Sequence, residues 1–203
     1  MYTSVMKQTD RILTLLQEQE IIRPQDLRAL DISPASLYSL HRQGKVVRSG
    51  RGIYRLPEGD LSAHHSLAVA CKRTPHGVIC LLSALSFHEI GTQLPFEVWM
   101  AIDRKARLPV VDYPSMRFVR FSGGALTAGV GSYQIEGVSV SVYTPAKTIA
   151  DCFKYRNKIG LDVAMEALRE CRRLGKCTDQ ELWRFARICR VANVMKPYLE
   201  ATA

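Results

Sequence analysis

The chain has 203 residues, with 28 Lys and Arg against 19 Asp and Glu, giving a net charge of +9 and an isoelectric point near 9.4. That length supports one large unit or two small ones with a real core, and the basic excess favours polyanionic partners, because cations that bind a phosphate backbone release its counterions. No apolar run approaches the roughly 20 residues of a membrane helix, and the opening ten residues hold no signal-peptide core, so a cytoplasmic protein with no membrane partner is expected.

From Lys7 to Gln19, Ile12, Leu13, Leu15 and Leu16 predict an amphipathic helix with Asp10 near its positive end. Ile21 and Ile22 read as an extended link, and Pro24 to Leu30 as a second short helix. A third runs from Pro34 to Gln43, with Ser33 as N-cap, Pro34 at the first position and Gly44 as the stop. Leu37 and Leu40 share one face of it, and small polar or basic residues occupy the rest. Two short strands follow, Lys45 to Arg48 and Ile53 to Leu56, around a Ser49-Gly50-Arg51-Gly52 turn whose glycines tolerate positive φ.

Between Ser33 and Leu56 stand Arg42, Lys45, Arg48, Arg51 and Arg55, with no Asp or Glu. A short polar helix beside a basic hairpin suits a DNA reader: the helix fits a major groove about 12 Å wide while hairpin cations meet phosphates. Three helices and a hairpin in this order predict a winged helix-turn-helix; a three-helix bundle whose hairpin is merely solvated is the plainer alternative.

Pro57-Glu58-Gly59-Asp60 is polar and turn-rich, which predicts a boundary between a DNA-binding domain, 1–58, and a mixed α and β domain, 59–203. In the second, helices are expected from Ser62 to Arg73 and from Val78 to Ile90, strands from Phe96 to Ile102 and from Met116 to Phe121, and a hairpin from Tyr133 to Tyr143 turning at Glu136-Gly137. Thr144 and Pro145 open a further helix to Tyr155; others are expected over Leu161 to Leu174, over Asp179 to Arg190 after Thr178, and over Val194 to Leu199. The expected fold class is therefore α+β. Most of the positive charge lies in this region, and Arg104, Lys105, Arg107, Arg117 and Arg120 are its candidate basic surface, chosen by charge alone.

The six cysteines, at 71, 80, 152, 171, 177 and 189, form no C-x-x-C pair and read as buried free thiols. His64, His65, Cys71, His76, Cys80 and His88 crowd one segment, but their spacing fits no familiar zinc pattern, and neither metal nor cofactor is expected. Glu97 and Asp103-Arg104-Lys105 suggest a metal-dependent nuclease as a rival reading; it lacks a further carboxylate on the strand from Met116 to Phe121. The chain has no Asp-x-Asp pair, Walker loop or Gly-x-Ser-x-Gly elbow, so no enzyme is expected.

Taken in order, Arg-Gly-Ile-Tyr-Arg-Leu-Pro ending at Pro57, the segments Val78 to Gly91 and Pro95 to Asp103, and Val-Tyr-Thr-Pro-Ala-Lys-Thr-Ile-Ala-Asp-Cys ending at Cys152 resemble the AbiEi-type antitoxins of type IV toxin-antitoxin systems, which are linked to phage defence. The resemblance implies an N-terminal domain that represses its own operon by reading inverted repeats in double-stranded promoter DNA. It also implies a C-terminal domain that counteracts a nucleotidyltransferase-like toxin without a stable complex. By position, Ser36, Ser39 and Arg42 then face bases or phosphates, Arg48 and Arg51 meet the backbone, and Lys45 and Arg55 complete the basic surface. A stand-alone regulator with a sensor or dimerisation domain remains the other non-enzymatic alternative.

Overall fold

The computed structural model describes residues 7–57 and 62–201. Three of the four residues expected to mark the boundary, Glu58, Gly59 and Asp60, lie outside them, as does the opening stretch Met1 to Met6.

Three helices lead: α1 (Gln8–Gln19), α2 (Pro24–Arg28) and α3 (Pro34–Arg42). Ser33 caps α3 as its hydroxyl accepts from the Ala35 amide at 3.3 Å, and Gly44 at φ 73° lets the chain turn out of it. Strands β1 (Val47–Gly50) and β2 (Ile53–Arg55) form an antiparallel ribbon, and the predicted link joins it as Ile22 bridges to Tyr54. Ile12, Leu16, Ile22, Leu27, Ile32, Leu37, Leu40, Val46 and Tyr54 make the core of this module.

Beyond it come α4 (His65–Arg73), β3 (Val78–Ile79), α5 (Leu81–Phe87), β4 (Val98–Asp103), β5 (Met116–Phe121), α6 (Gly124–Thr127), β6 (Val130–Ile135) and β7 (Val138–Tyr143). The remainder is helical: α7 (Pro145–Lys154), α8 (Arg156–Ile159), α9 (Leu161–Arg173), α10 (Asp179–Ile188) and α11 (Ala192–Ala201). The five strands form one mixed sheet in the order β5-β4-β3-β7-β6, with β4 parallel to β5, β3 parallel to β7, and the other two pairings antiparallel.

Alternation along the strands sends side chains to opposite faces of the sheet. Trp99, Ala101, Val119, Phe121 and Tyr143 meet the helices from α5 onward in the largest core. Val98, Met100, Val138, Val140 and Val142 face α4, and Ile21 and Ile53 of the N-terminal module sit in that same cluster. The module is therefore packed onto the sheet. Gly137, at φ 64° in the β6–β7 turn, lies so close to the Gln19 backbone that a Cβ there would collide with it.

The α+β expectation holds, with differences in detail. Val78 and Ile79, expected to begin a helix, form the central strand: this β-branched pair finds hydrogen-bonding neighbours on both sides, and the helix starts only at Leu81, whose φ is 47°. The β6 strand begins at Val130, upstream of the expected Tyr133, so Gly131 and Ser132 lie inside it. Thr144 precedes α7 without capping it, and its hydroxyl is buried with no partner among the described residues. Thr178 does cap α10, in a reciprocal box with Glu181. Among the described residues no helix is long and apolar enough to cross a membrane.

Candidate nucleic-acid interface

Leu37 and Leu40 anchor α3 in the module's core, which turns its other residues outward. The helix is also fastened to the ribbon. The Tyr38 and His41 rings lie 6.2 and 5.6 Å from the Tyr54 ring, and His41 Nδ1 is 2.9 Å from the Val46 carbonyl oxygen. Helix and ribbon thus sit side by side, the arrangement suited to engaging a groove and its flanking backbone together.

The expected contact residues divide into those that are available and those already engaged. Arg42 and Lys45 are exposed and make no ion pair among the described residues. Arg48 is exposed, with its Nε donating to the Gly50 carbonyl at 3.0 Å. Ser36 is half-buried and donates to Gln8 Oε1 at 3.0 Å, while Ser39 accepts from Gln43 Nε2 at 3.1 Å. Arg55 reaches across the ribbon to β1, donating to Ser49 Oγ at 3.0 Å, and also donates to the Leu56 carbonyl at 2.9 Å.

Arg51, at the ribbon tip, pairs with Asp112 at 3.1 Å, and its carbonyl accepts from Arg73. The pair is largely exposed, at 77% and 49%, and so is weak and easily exchanged. Gln43 is exposed beside Arg42, on the outward face that the helix pattern gave it.

Of the basic residues proposed for the second region, Arg104, Lys105, Arg107 and Arg120 meet at the turn after β4, while Arg117 lies nearer the start of that strand. Arg117 pairs with Glu97 at 2.8 Å and lies over the Trp99 ring, and Arg120 donates to the carbonyls of Arg104 and Ala106 at 2.8 and 2.9 Å, stapling the turn after β4. Arg104, Lys105 and Arg107 are exposed on that turn without a side-chain ion pair among the described residues. Glu97 and Asp103 stand at opposite ends of β4, about 20 Å apart by strand rise, so they cannot share a metal ion as the nuclease reading requires.

Of the histidines, His65 bonds Glu136 at 2.6 Å and His88 lies 2.7 Å from the Tyr143 carbonyl oxygen. Five cysteines are buried and Cys177 is partly exposed; all six are free thiols. Deep in the second region, Lys147 is fully buried with its Nζ 2.5 Å from Asp151 Oδ2 and 3.9 Å from the Tyr143 ring centre. Cys189 Sγ contacts the other Asp151 oxygen at 3.3 Å. Burial raises the Asp151 pKa, opposed by Lys147, and burial raises that of Cys189 to about 12.

The architecture is that of a small basic helix-and-ribbon module seated on one face of a larger α+β unit. Residues 10–57, the extent of that module, match the sequence model of a family described as "Transcriptional regulator, AbiEi antitoxin", which bears out the AbiEi resemblance over that span. The crystal structure of the RV2827C protein from Mycobacterium tuberculosis shares the fold across 95% of this chain and 77% of its own, with a TM-score of 0.60 at 14% identity. No curated protein matches the chain.

Proposed function

We propose that the chain is a DNA-binding autorepressor and antitoxin of a type IV, AbiE-like toxin-antitoxin system, acting in the cytoplasm without enzymatic activity of its own. In this reading residues 1–58 are a winged helix-turn-helix that reads inverted repeats in the operon promoter. Residues 59–203 counteract a nucleotidyltransferase-like toxin. The observation that carries the proposal is the fixed pairing of α3 with an acid-free basic ribbon, which presents Arg42, Lys45 and Arg48 outward. The match of this same segment to antitoxin regulators supports it.

Gel-shift titrations of the full chain on promoter and random duplexes, over a range of salt, test the DNA half. Affinity should fall steeply with salt on both duplexes, and the promoter should be preferred. Equal, salt-insensitive affinity for both would overturn it. Co-expression with an adjacent nucleotidyltransferase-like gene tests the other half. A full-length Arg42→Ala/Lys45→Ala variant should still restore growth, because neutralisation is then separate from promoter repression. Failure of both this variant and the wild-type chain to rescue growth points instead to a stand-alone regulator.

A further inference from the structure

Where α2, the ribbon tip and the end of α4 meet, Arg23, Arg28, Arg51 and Arg73 line a groove of about 400 Å³ whose other wall includes Pro109 and Val110. It shares only the ribbon tip with the α3 surface. Arg23 and Lys72 are held by Asp26 at 2.9 and 3.1 Å, and Arg51 by Asp112. Four arginines line the groove, with Lys72 and Arg48 beside it, the latter close enough to repel Arg73, against the two carboxylates of Asp26 and Asp112.

Arg73 is the least satisfied of them. One nitrogen donates to the Arg51 carbonyl, but its Nε is buried with no hydrogen-bond partner among the described residues. Burial, then repulsion from Arg23, Arg51 and Arg48, lowers its pKa against the pull of Asp112. A buried donor lacking an acceptor, amid converging like charges, is an arrangement that an arriving anion relieves. Guanidinium forks match phosphate oxygens in particular.

We propose that this groove binds a compact phosphorylated ligand, a nucleotide or a free diphosphate, whose oxygens accept from Arg73, Arg51 and Arg28 while its less polar part rests on Pro109 and Val110. The concavity, walled by both the N-terminal module and the second region, favours a small ligand over the broad convex surface of a duplex. Such a ligand competes with Asp112 for Arg51, so occupancy is felt at the ribbon tip.

Calorimetric titration of inorganic pyrophosphate and of ADP into the full chain tests this. Saturable binding at one site is expected, weakened roughly tenfold by Arg73→Gln through loss of charge-assisted bonds, and several-fold by Arg28→Gln. Arg187→Gln, on exposed α10, serves as control and should change nothing. Arg28 is exposed, so its variant informs even where Arg73→Gln perturbs folding. Absence of saturable binding, or equal weakening by Arg187→Gln, overturns the proposal. It is also overturned if Arg28→Gln weakens duplex DNA while neither small probe binds, because the groove then belongs to the DNA path. The DNA reading itself is tested at Arg42 and Lys45, outside this groove, so the two can fail separately.

Discussion

The N-terminal module and the helical layer of the second region place their cations in opposite settings. On α3 and the ribbon, Arg42, Lys45 and Arg48 stand in solvent with no carboxylate in the segment to neutralise them. In α7, Lys147 has no exposed surface and is closed in by Asp151, Tyr143 and Phe121. An exposed cation keeps its hydration and is available to a partner, whereas a buried one is tied to its counterion, because either charge alone is costly in the interior. The comparison teaches that net charge locates neither role: the second region holds most of the excess, yet its Arg117, Arg120 and Lys147 are engaged within the fold.

The sharpest break between the two settings comes from removing one partner of the buried pair. Asp151→Ala should cost about 3–5 kcal/mol, read from urea denaturation, since it strands the Lys147 ammonium. The paired replacement Lys147→Met/Asp151→Leu should recover most of that loss. A midpoint moved no more by Asp151→Ala than by a surface substitution contradicts the account.

On the exposed side, Arg42→Ala with Lys45→Ala should flatten the salt dependence of DNA affinity by about 1.8 in slope, at about 0.9 per lost phosphate contact. Stability should stay within about 0.5 kcal/mol, as for other surface changes. A lowered melting temperature with an unchanged slope would reverse the assignment.

Thr178→Ala removes the hydroxyl that accepts from the Glu181 amide at 3.2 Å and should lower stability by about 1 kcal/mol without touching DNA affinity. The smallest effect is expected from Asp112→Asn. Releasing Arg51 should tighten DNA binding by less than about 1 kcal/mol, as suits a solvent-exposed pair, and weaker binding would mean that Asp112 positions Arg51 for contact instead.

Features written in neighbouring residues were legible in the sequence. The Ser33-Pro34 start and Gly44 stop of α3, the Glu136-Gly137 turn and the Thr178 cap each rest on hydrogen bonds or backbone preferences within a few positions, and the structure has them all. Thr144, read as a cap from the same kind of local signal, does not cap α7, and the strand assignments that escaped were decided by distant partners. Val78 and Ile79 look like the start of the apolar helix that follows, and only β4 and β7 make them a strand.

The basic surface divides along the same line. Arg42, on the polar face of α3, and Lys45, just past the Gly44 stop, are exposed as the sequence implied. The contact of Arg51 with Asp112 spans 61 positions and leaves no local mark. The burial of Lys147 had a fainter sign: in the run from Ala146 to Phe153 its only charged companion is Asp151, four residues on, and the structure buries that whole run.

Ile21 and Ile53 carry a practical consequence. Both are completely buried, in a cluster whose other members belong to α4, α5 and the sheet. A fragment cut off after the ribbon bares two large aliphatic side chains, each favouring concealment by about 1.5–3 kcal/mol, and is therefore prone to self-association. Dissecting the chain with scissors would confuse stickiness with lost recognition; single-residue exchanges in the intact polypeptide keep the two apart.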